Sequence, residues 1–169
     1  MKDGKVEKVE NNLEKDALVK QEVISSPIKG DVLPLNQVKD EVFSAGLLGK
    51  GVAIEPKEGK VVSPVDGTLT TLFPTHHALG ITSDNGAEIL IHVGMDTVKM
   101  NGRGFNVKTA VNSKIKEGDL LLEFDRDIIE KEGYSLITPV VITNADNYED
   151  KILCINEEVK NGMSIINLK

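Results

Sequence analysis

Tryptophan is absent from this sequence, and only 4% of its residues are aromatic. The core therefore has to be built from branched aliphatic side chains, which a hydrophobic content of 40% can supply. Cys154 is the one cysteine, which excludes an internal disulfide. With no signal-peptide pattern either, the expected setting is the cytosol. No apolar run approaches the roughly 20 residues a helix needs to cross a bilayer, so direct membrane insertion is not expected. Positive charge is also short: Lys and Arg number 20 against 27 Asp and Glu, for a formal charge of −7. Such a surface repels nucleic acid and anionic lipid and suits partners with a basic docking patch.

Helical periodicity is scarce. Residues 1–21 are mostly Lys, Glu, Asp, Asn and Val, and read as a charged, disordered N-terminal tail. From Glu22 the texture changes, and residues 22–169 are expected to form a single domain. Short apolar runs at Val23-Ile24, Val52–Ile54, Lys60–Val62, Thr68–Phe73, Glu88–Val93, Leu120–Phe124, Pro139–Thr143 and Ser164–Leu168 read as strands. Turn pairs such as Asp66-Gly67, Asn85-Gly86, Asn101-Gly102 and Asn161-Gly162 separate them. One short helix over Asp127–Glu132 is predicted, with Asp125 as its cap and Gly133 as its stop. The expected fold class is all-β, an antiparallel β-sandwich or flattened barrel with one or two very short helices.

An internal echo fits that class. Ser26-Pro27-Ile28-Lys29-Gly30-Asp31-Val32 repeats the pattern of Ser63-Pro64-Val65-Asp66-Gly67-Thr68-Leu69. Two like strand-turn-strand units would let two sheets cover each other's apolar faces.

All three histidines lie between Thr75 and Phe105. Alternation along a strand puts Ile89, Ile91 and Val93 on one face and Glu88, Leu90 and His92 on the other. If the first set fills the core, His92 stands outward beside Leu90. With a turn near Asn85, the stretches before and after it can pair antiparallel and bring His77 to His92. His76 is expected to point the other way and to be structural, and Cys154 to be a buried strand residue without a role.

Gly86-Ala87-Glu88-Ile89-Leu90-Ile91-His92-Val93-Gly94-Met95-Asp96-Thr97-Val98 resembles the signature of glucose-type enzyme IIA domains of the bacterial phosphoenolpyruvate:sugar phosphotransferase system. The upstream Pro64–Thr68 and His77-Ala78-x-x-Ile81, and the downstream Asn101-Gly102-x-Gly104-Phe105 and Thr138–Asn144, are similar too. The resemblance implies a β-sandwich with a shallow active-site depression, and a phosphohistidine carrier that needs no cofactor. It implies that His92 accepts the phosphoryl group at its tele nitrogen and that His77 stabilises that group. Thr75 would orient His77, and a Gly94 carbonyl would hold the other nitrogen of His92. Val42, Phe43, Leu48, Phe73 and Leu90 fall on the apolar docking rim, with Asp40 and Asp96 as acidic positions near it. The implied partners are the phosphorylated histidine carrier protein HPr as donor and the IIB domain of a sugar permease as acceptor, visited in turn by a monomer.

The chemistry suits the residues. A neutral imidazole is readily available at cytosolic pH, and a loose phosphoryl-transfer transition state needs mainly positioning and electrostatics. A water-excluding apolar rim serves transfer between two proteins. Three other readings compete. His77 and His92 are zinc-ligand types, but a catalytic zinc needs three protein ligands, so a partner protein would have to complete the site. Val98-Lys99-Met100 is similar to the swinging-arm turn of biotinyl and lipoyl domains, though Val98 stands where those have Met. A purely regulatory module is the third, set against Thr82 and Lys99 where the family's regulators carry acidic residues.

Overall fold

The structure is a computed structural model that describes residues 21–169. The tail expected over 1–21 lies outside the described residues except for Gln21. The strands are β1 (Glu22–Ser25), β2 (Gly30–Pro34), β3 (Lys50–Pro56), β4 (Lys60–Val62), β5 (Gly67–Leu72), β6 (Ala78–Ser83) and β7 (Glu88–His92). They continue with β8 (Phe105–Val107), β9 (Lys114–Ile115), β10 (Leu120–Phe124), β11 (Thr138–Ile142), β12 (Lys151–Leu153), β13 (Glu157–Val159) and β14 (Ser164–Leu168). Two short helices, α1 (Glu41–Ser44) and α2 (Arg126–Lys131), join them. An eight-stranded antiparallel sheet runs β13-β2-β3-β11-β7-β6-β5-β9, and two three-stranded sheets run β1-β14-β12 and β4-β10-β8.

The internal echo is structural. The large sheet is built alike from its middle outward, where Val141 of β11 lies opposite Leu90 of β7. Ser25 N–H donates to the Pro64 carbonyl at 3.2 Å, and in the matching place Val62 N–H donates to Pro27 at 2.9 Å. The Ser26 hydroxyl bonds the Ile28 carbonyl and the Ser63 hydroxyl the Val65 carbonyl, both at 2.6 Å. Asn156 N–H reaches Val32 and Asn112 N–H reaches Leu69, from two asparagines that are both left-handed. Gly30 and Gly67 open β2 and β5 for one shared reason. A Cβ there would lie 2.1 Å from the Glu55 carbonyl oxygen and 2.2 Å from that of Thr82.

One face of the large sheet and the two small sheets enclose the main core, from Ile24 through Ile91 and Val140 to Leu168. Each fully buried aliphatic side chain there contributes roughly 1.5–3 kcal/mol. A smaller cluster of Leu35, Val38, Phe43, Ala53, Met95 and Val141 lies on the opposite face, with Leu90 packed against it. Strand alternation explains the split: Ile89, Ile91 and Val93 are buried in the main core, whereas Leu90 and His92 face the second cluster and are half-buried.

Several expectations are corrected locally. β2 escapes notice in the sequence because Pro34 interrupts its apolar texture, whereas β6, the stretch before the turn near Asn85, pairs antiparallel with β7 as expected and with β5 on its other side. Helix α1 is the second of the one or two very short helices expected, at a place the sequence does not announce; Asp40 caps it by accepting from Val42 N–H at 2.9 Å and Phe43 N–H at 3.4 Å. Helix α2 begins one residue before the predicted start, with Asp125 accepting from Ile128 N–H as its cap. His76 is not a strand residue: it sits in the turn before β6 with φ of 62°. Cys154 is half-buried just past β12, its thiol 3.2 Å from a Glu157 carboxylate oxygen.

Candidate functional site

The site begins with the β6–β7 hairpin. Its register sets Ala78 opposite His92, and one step further Val93 N–H donates to the His77 carbonyl at 2.7 Å. His92 therefore closes β7 on the side away from the main core, and His77 enters β6 from the left-handed turn at His76. The two rings meet edge to face with centroids 4.7 Å apart. Phe43 stands edge-on to His92 at 5.1 Å, and Phe73 to His77 at 5.6 Å. The pair thus sits in an aromatic frame that uses much of what little aromatic material the chain has.

Each ring has one nitrogen engaged. His92 Nδ1 lies 2.7 Å from the Gly94 carbonyl oxygen, which can only accept, so Nδ1 carries the proton and Nε2 is left bare. His77 Nδ1 lies 2.7 Å from the Thr75 hydroxyl. Burial holds the pKa of His77 down at about 4, with the charge of His92 adding to the effect. Burial also lowers His92, against which the Gly94 carbonyl and the carboxylates of Asp40 and Asp96 pull upward. Both rings are therefore neutral near pH 7, the state a nitrogen nucleophile requires.

Gly94 and Asp96 are both left-handed, with φ of 74° and 61°. A Cβ on Gly94 would lie 2.6 Å from the Ser135 carbonyl oxygen and 2.7 Å from Thr97 Cγ2, so only glycine fits.

The surroundings divide in two. Phe43 is buried and serves as a wall against His92, while Phe73 and Leu90 are half-buried. Val42 at 43% and Leu48 at 39% are exposed, and so is Leu47 at 74%, the most exposed large apolar residue on α1 and the turn after it. Leu47 N–H bonds the Val42 carbonyl, which fixes it to the same short element. The sequence reading passed over Leu47, whose signal was its place beside Leu48 between Gly46 and Gly49. It also passed over Thr97, which is fully buried beside Gly94. Among the described residues no group of three or more His, Cys, Asp and Glu side chains converges as a metal site. No helix among them is long and apolar enough to cross a membrane.

The family model described as phosphoenolpyruvate-dependent sugar phosphotransferase system, EIIA 1, matches residues 22–148. A β-glucoside-specific EIIBCA component of the phosphotransferase system from Bacillus subtilis is 58% identical over 128 residues, covering 76% of this chain and 21% of that protein. A protein of the same description from Halalkalibacterium halodurans is 49% identical over 148 residues, or 88% of this chain and 23% of that protein. The chain thus spans under a quarter of the length of these relatives. A solved structure of glucose permease IIA from Mycoplasma capricolum superposes with a TM-score of 0.81 at 37% identity, covering 89% of this chain and 97% of that one.

Proposed function

This chain belongs to the EIIA 1 family of the phosphoenolpyruvate-dependent sugar phosphotransferase system, and from that membership we propose that it relays phosphoryl groups through His92 Nε2, with phospho-HPr as donor and the IIB domain of a β-glucoside permease as acceptor. The observation that carries the choice of nitrogen is the 2.7 Å contact from His92 Nδ1 to the Gly94 carbonyl. The β-glucoside assignment is supported by the specificity in the names of the two bacterial relatives. Relay of this kind belongs on the cytoplasmic side, where the phosphoenolpyruvate-derived phosphoryl group arises.

In the first transfer the Nε2 lone pair of His92 attacks the phosphorus of the donor's phosphoimidazole. The donor N–P bond breaks and its electron pair stays on the donor ring. The Nδ1 proton stays on His92 and is donated in a hydrogen bond to the Gly94 carbonyl, which stabilises the positive charge that the phosphorylated ring gathers. Thr75 donates its hydroxyl proton to His77 Nδ1, so that Nε2–H of His77 points a hydrogen bond at a phosphoryl oxygen. Phe43, Phe73, Leu90 and the exposed Val42, Leu47 and Leu48 exclude water while a partner is docked. Asp40 and Asp96 attract the basic groups of the partner. In the second transfer the acceptor's nucleophile attacks phosphorus, the His92 Nε2–P bond breaks with its electron pair returning to the ring, and His92 is neutral again.

The test is phosphorylation of the chain by phosphoenolpyruvate, enzyme I and HPr, alongside His92→Gln and His77→Gln. The expected result is an acid-labile, base-stable phosphate on the native chain and none on His92→Gln. His77→Gln should keep the label but pass it poorly to a β-glucoside IIB domain. A label on His92→Gln would overturn the assignment, and faster transfer to an unrelated IIB domain would overturn the sugar class.

A further inference from the structure

The two halves of this fold supply an internal comparison at the site. Each central strand of the large sheet, β7 and β11, runs into a 3-10 turn that delivers one large residue to the core. After β7 the turn is Thr97–Met100, preceded by Asp96, and Met100 is buried. After β11 it is Ala145–Asn147, preceded by Asn144, and Tyr148 is buried in the matching place. Thr97 and Ala145 open these turns and are both buried, Thr97 completely. The fold therefore makes this turn without a hydroxyl at its first position.

The histidine half differs in what it builds there. Its connection carries two residues more between strand and turn, and two of its residues, Gly94 and Asp96, are left-handed. This extra loop turns the Gly94 carbonyl back onto His92 Nδ1. The Thr97 hydroxyl closes the loop by donating to the Val93 carbonyl at 2.5 Å. Val93 N–H is held in turn by the His77 carbonyl, and Met95 N–H by the Ser135 carbonyl at 3.1 Å. The Thr97 methyl packs over the site where any Cβ on Gly94 would project.

We propose that Thr97 is a positioning residue for phosphoryl transfer: its hydroxyl locks the Val93–Thr97 loop so that the Gly94 carbonyl fixes the His92 tautomer with Nε2 unprotonated. The proposal rests on the reading of His92 as the acceptor. Without the hydroxyl, the buried Val93 carbonyl loses its partner and the loop can relax. Gly94 then no longer holds Nδ1–H, and His92 divides between two tautomers, of which only one presents a lone pair at Nε2. A misplacement of about 1 Å at the nucleophile, together with the lost tautomer, slows transfer by about ten- to a hundredfold.

The experiment is nitrogen-15 and proton NMR of the full chain, native and as Thr97→Val and Thr97→Ser, with transfer rates from phospho-HPr measured in parallel. The native chain is expected to show a slowly exchanging His92 Nδ1–H and a protected Thr97 hydroxyl proton. Thr97→Val should show mixed His92 tautomers, a His92 titration moved downward and slowed transfer, with His77 unmoved. Thr97→Ser keeps the hydroxyl and should restore the native tautomer and a rate within about twofold of native. A folded Thr97→Val with the native tautomer and rate would overturn the proposal, as would a Thr97→Ser no better than Thr97→Val. Should Thr97→Val fail to fold, an unprotected Thr97 hydroxyl in the native chain overturns it equally. Absence of any phosphate on the native chain would instead defeat the reading of His92, and the tautomer measurement would still decide what Thr97 holds.

Discussion

The ring of His77 stands edge-on to the ring of His92, with centroids 4.7 Å apart and planes inclined at 83°. Two imidazolium charges at that separation, away from water, would repel strongly, and the more enclosed ring yields first. His77 is the one that yields, because its ring is almost fully buried while that of His92 keeps Asp40, Asp96 and a carbonyl nearby.

Titration followed by NMR should therefore place the His77 midpoint near 4, with His92 above it. In His92→Gln the His77 midpoint should rise but stay below about 6.5, since burial is the larger cause. The same shift carries a stability effect. An unfolded histidine binds its proton near pH 6.5, whereas folded His77 refuses it until about 4. The unfolded chain binds more protons across that window, so His77's contribution is complete above pH 6.5 and is lost as pH falls toward 4. The loss is about 3 kcal/mol. Urea unfolding at pH 7.5, 5.5 and 4.5 should show a shallower dependence for His77→Gln than for the native chain; equal slopes would refute the assignment.

Thr75→Val should separate orientation from mere presence of the second ring. The valine matches the shape of threonine but removes the hydroxyl 2.7 Å from His77 Nδ1. Phosphate should still appear on the chain, because His92 is untouched. Onward transfer should fall about tenfold or more, with Thr75→Ser close to native. Equal transfer in Thr75→Val would mean that the Phe73 ring, and not the hydroxyl, sets the orientation.

Much of this site was legible in the sequence because it is a local object. His77 and His92 lie on two arms of one hairpin, so alternation and one turn at Asp84–Gly86 bring them together without long-range information. The outward placement of His92 followed from Ile89, Ile91 and Val93 claiming the core face. The echo of Ser26–Val32 in Ser63–Leu69 was visible, and the paired serine bonds show why those residues recur. What escaped notice depends on distant partners. β2 has apolar positions only Val32 and Leu33 before Pro34, and is made a strand by β3 and β13 on its two sides. The loop that clamps Gly94 needs Ser135 from the segment after α2, which no local pattern announces. Helix α1 is too short for periodicity to reveal, and with it went Leu47.

Gly94→Ala should be costly for two added reasons that a second glycine separates. At Gly94 the left-handed backbone and the contacts with Ser135 and Thr97 both oppose a Cβ, whereas at left-handed Gly118 a Cβ would meet nothing within 4 Å. Gly118→Ala should lose only about 1–2 kcal/mol, the cost of the conformation. Gly94→Ala should lose about 3 kcal/mol or more and also weaken the His92 Nδ1–H contact. Thermal unfolding of the two variants, with the rate of phosphate uptake, checks both parts. Equal melting temperatures would show that the loop yields to the side chain and is not a clamp.

Leu47 offers the cleanest test of what the exposed apolar patch is for. At 74% exposure it contributes little to folding, so Leu47→Ser should change stability by less than about 0.5 kcal/mol. Buried against a partner, the same side chain would lose roughly 1.5–3 kcal/mol of interaction when truncated. Initial rates of phosphate uptake at varied phospho-HPr concentration should therefore show KM rising by about tenfold or more. The limiting rate should hold, because Leu47 lies on the turn after α1, an element that carries neither histidine. A fall in the limiting rate with KM unchanged would place Leu47 in the transfer step, and no effect on either would remove it from the face that phospho-HPr covers.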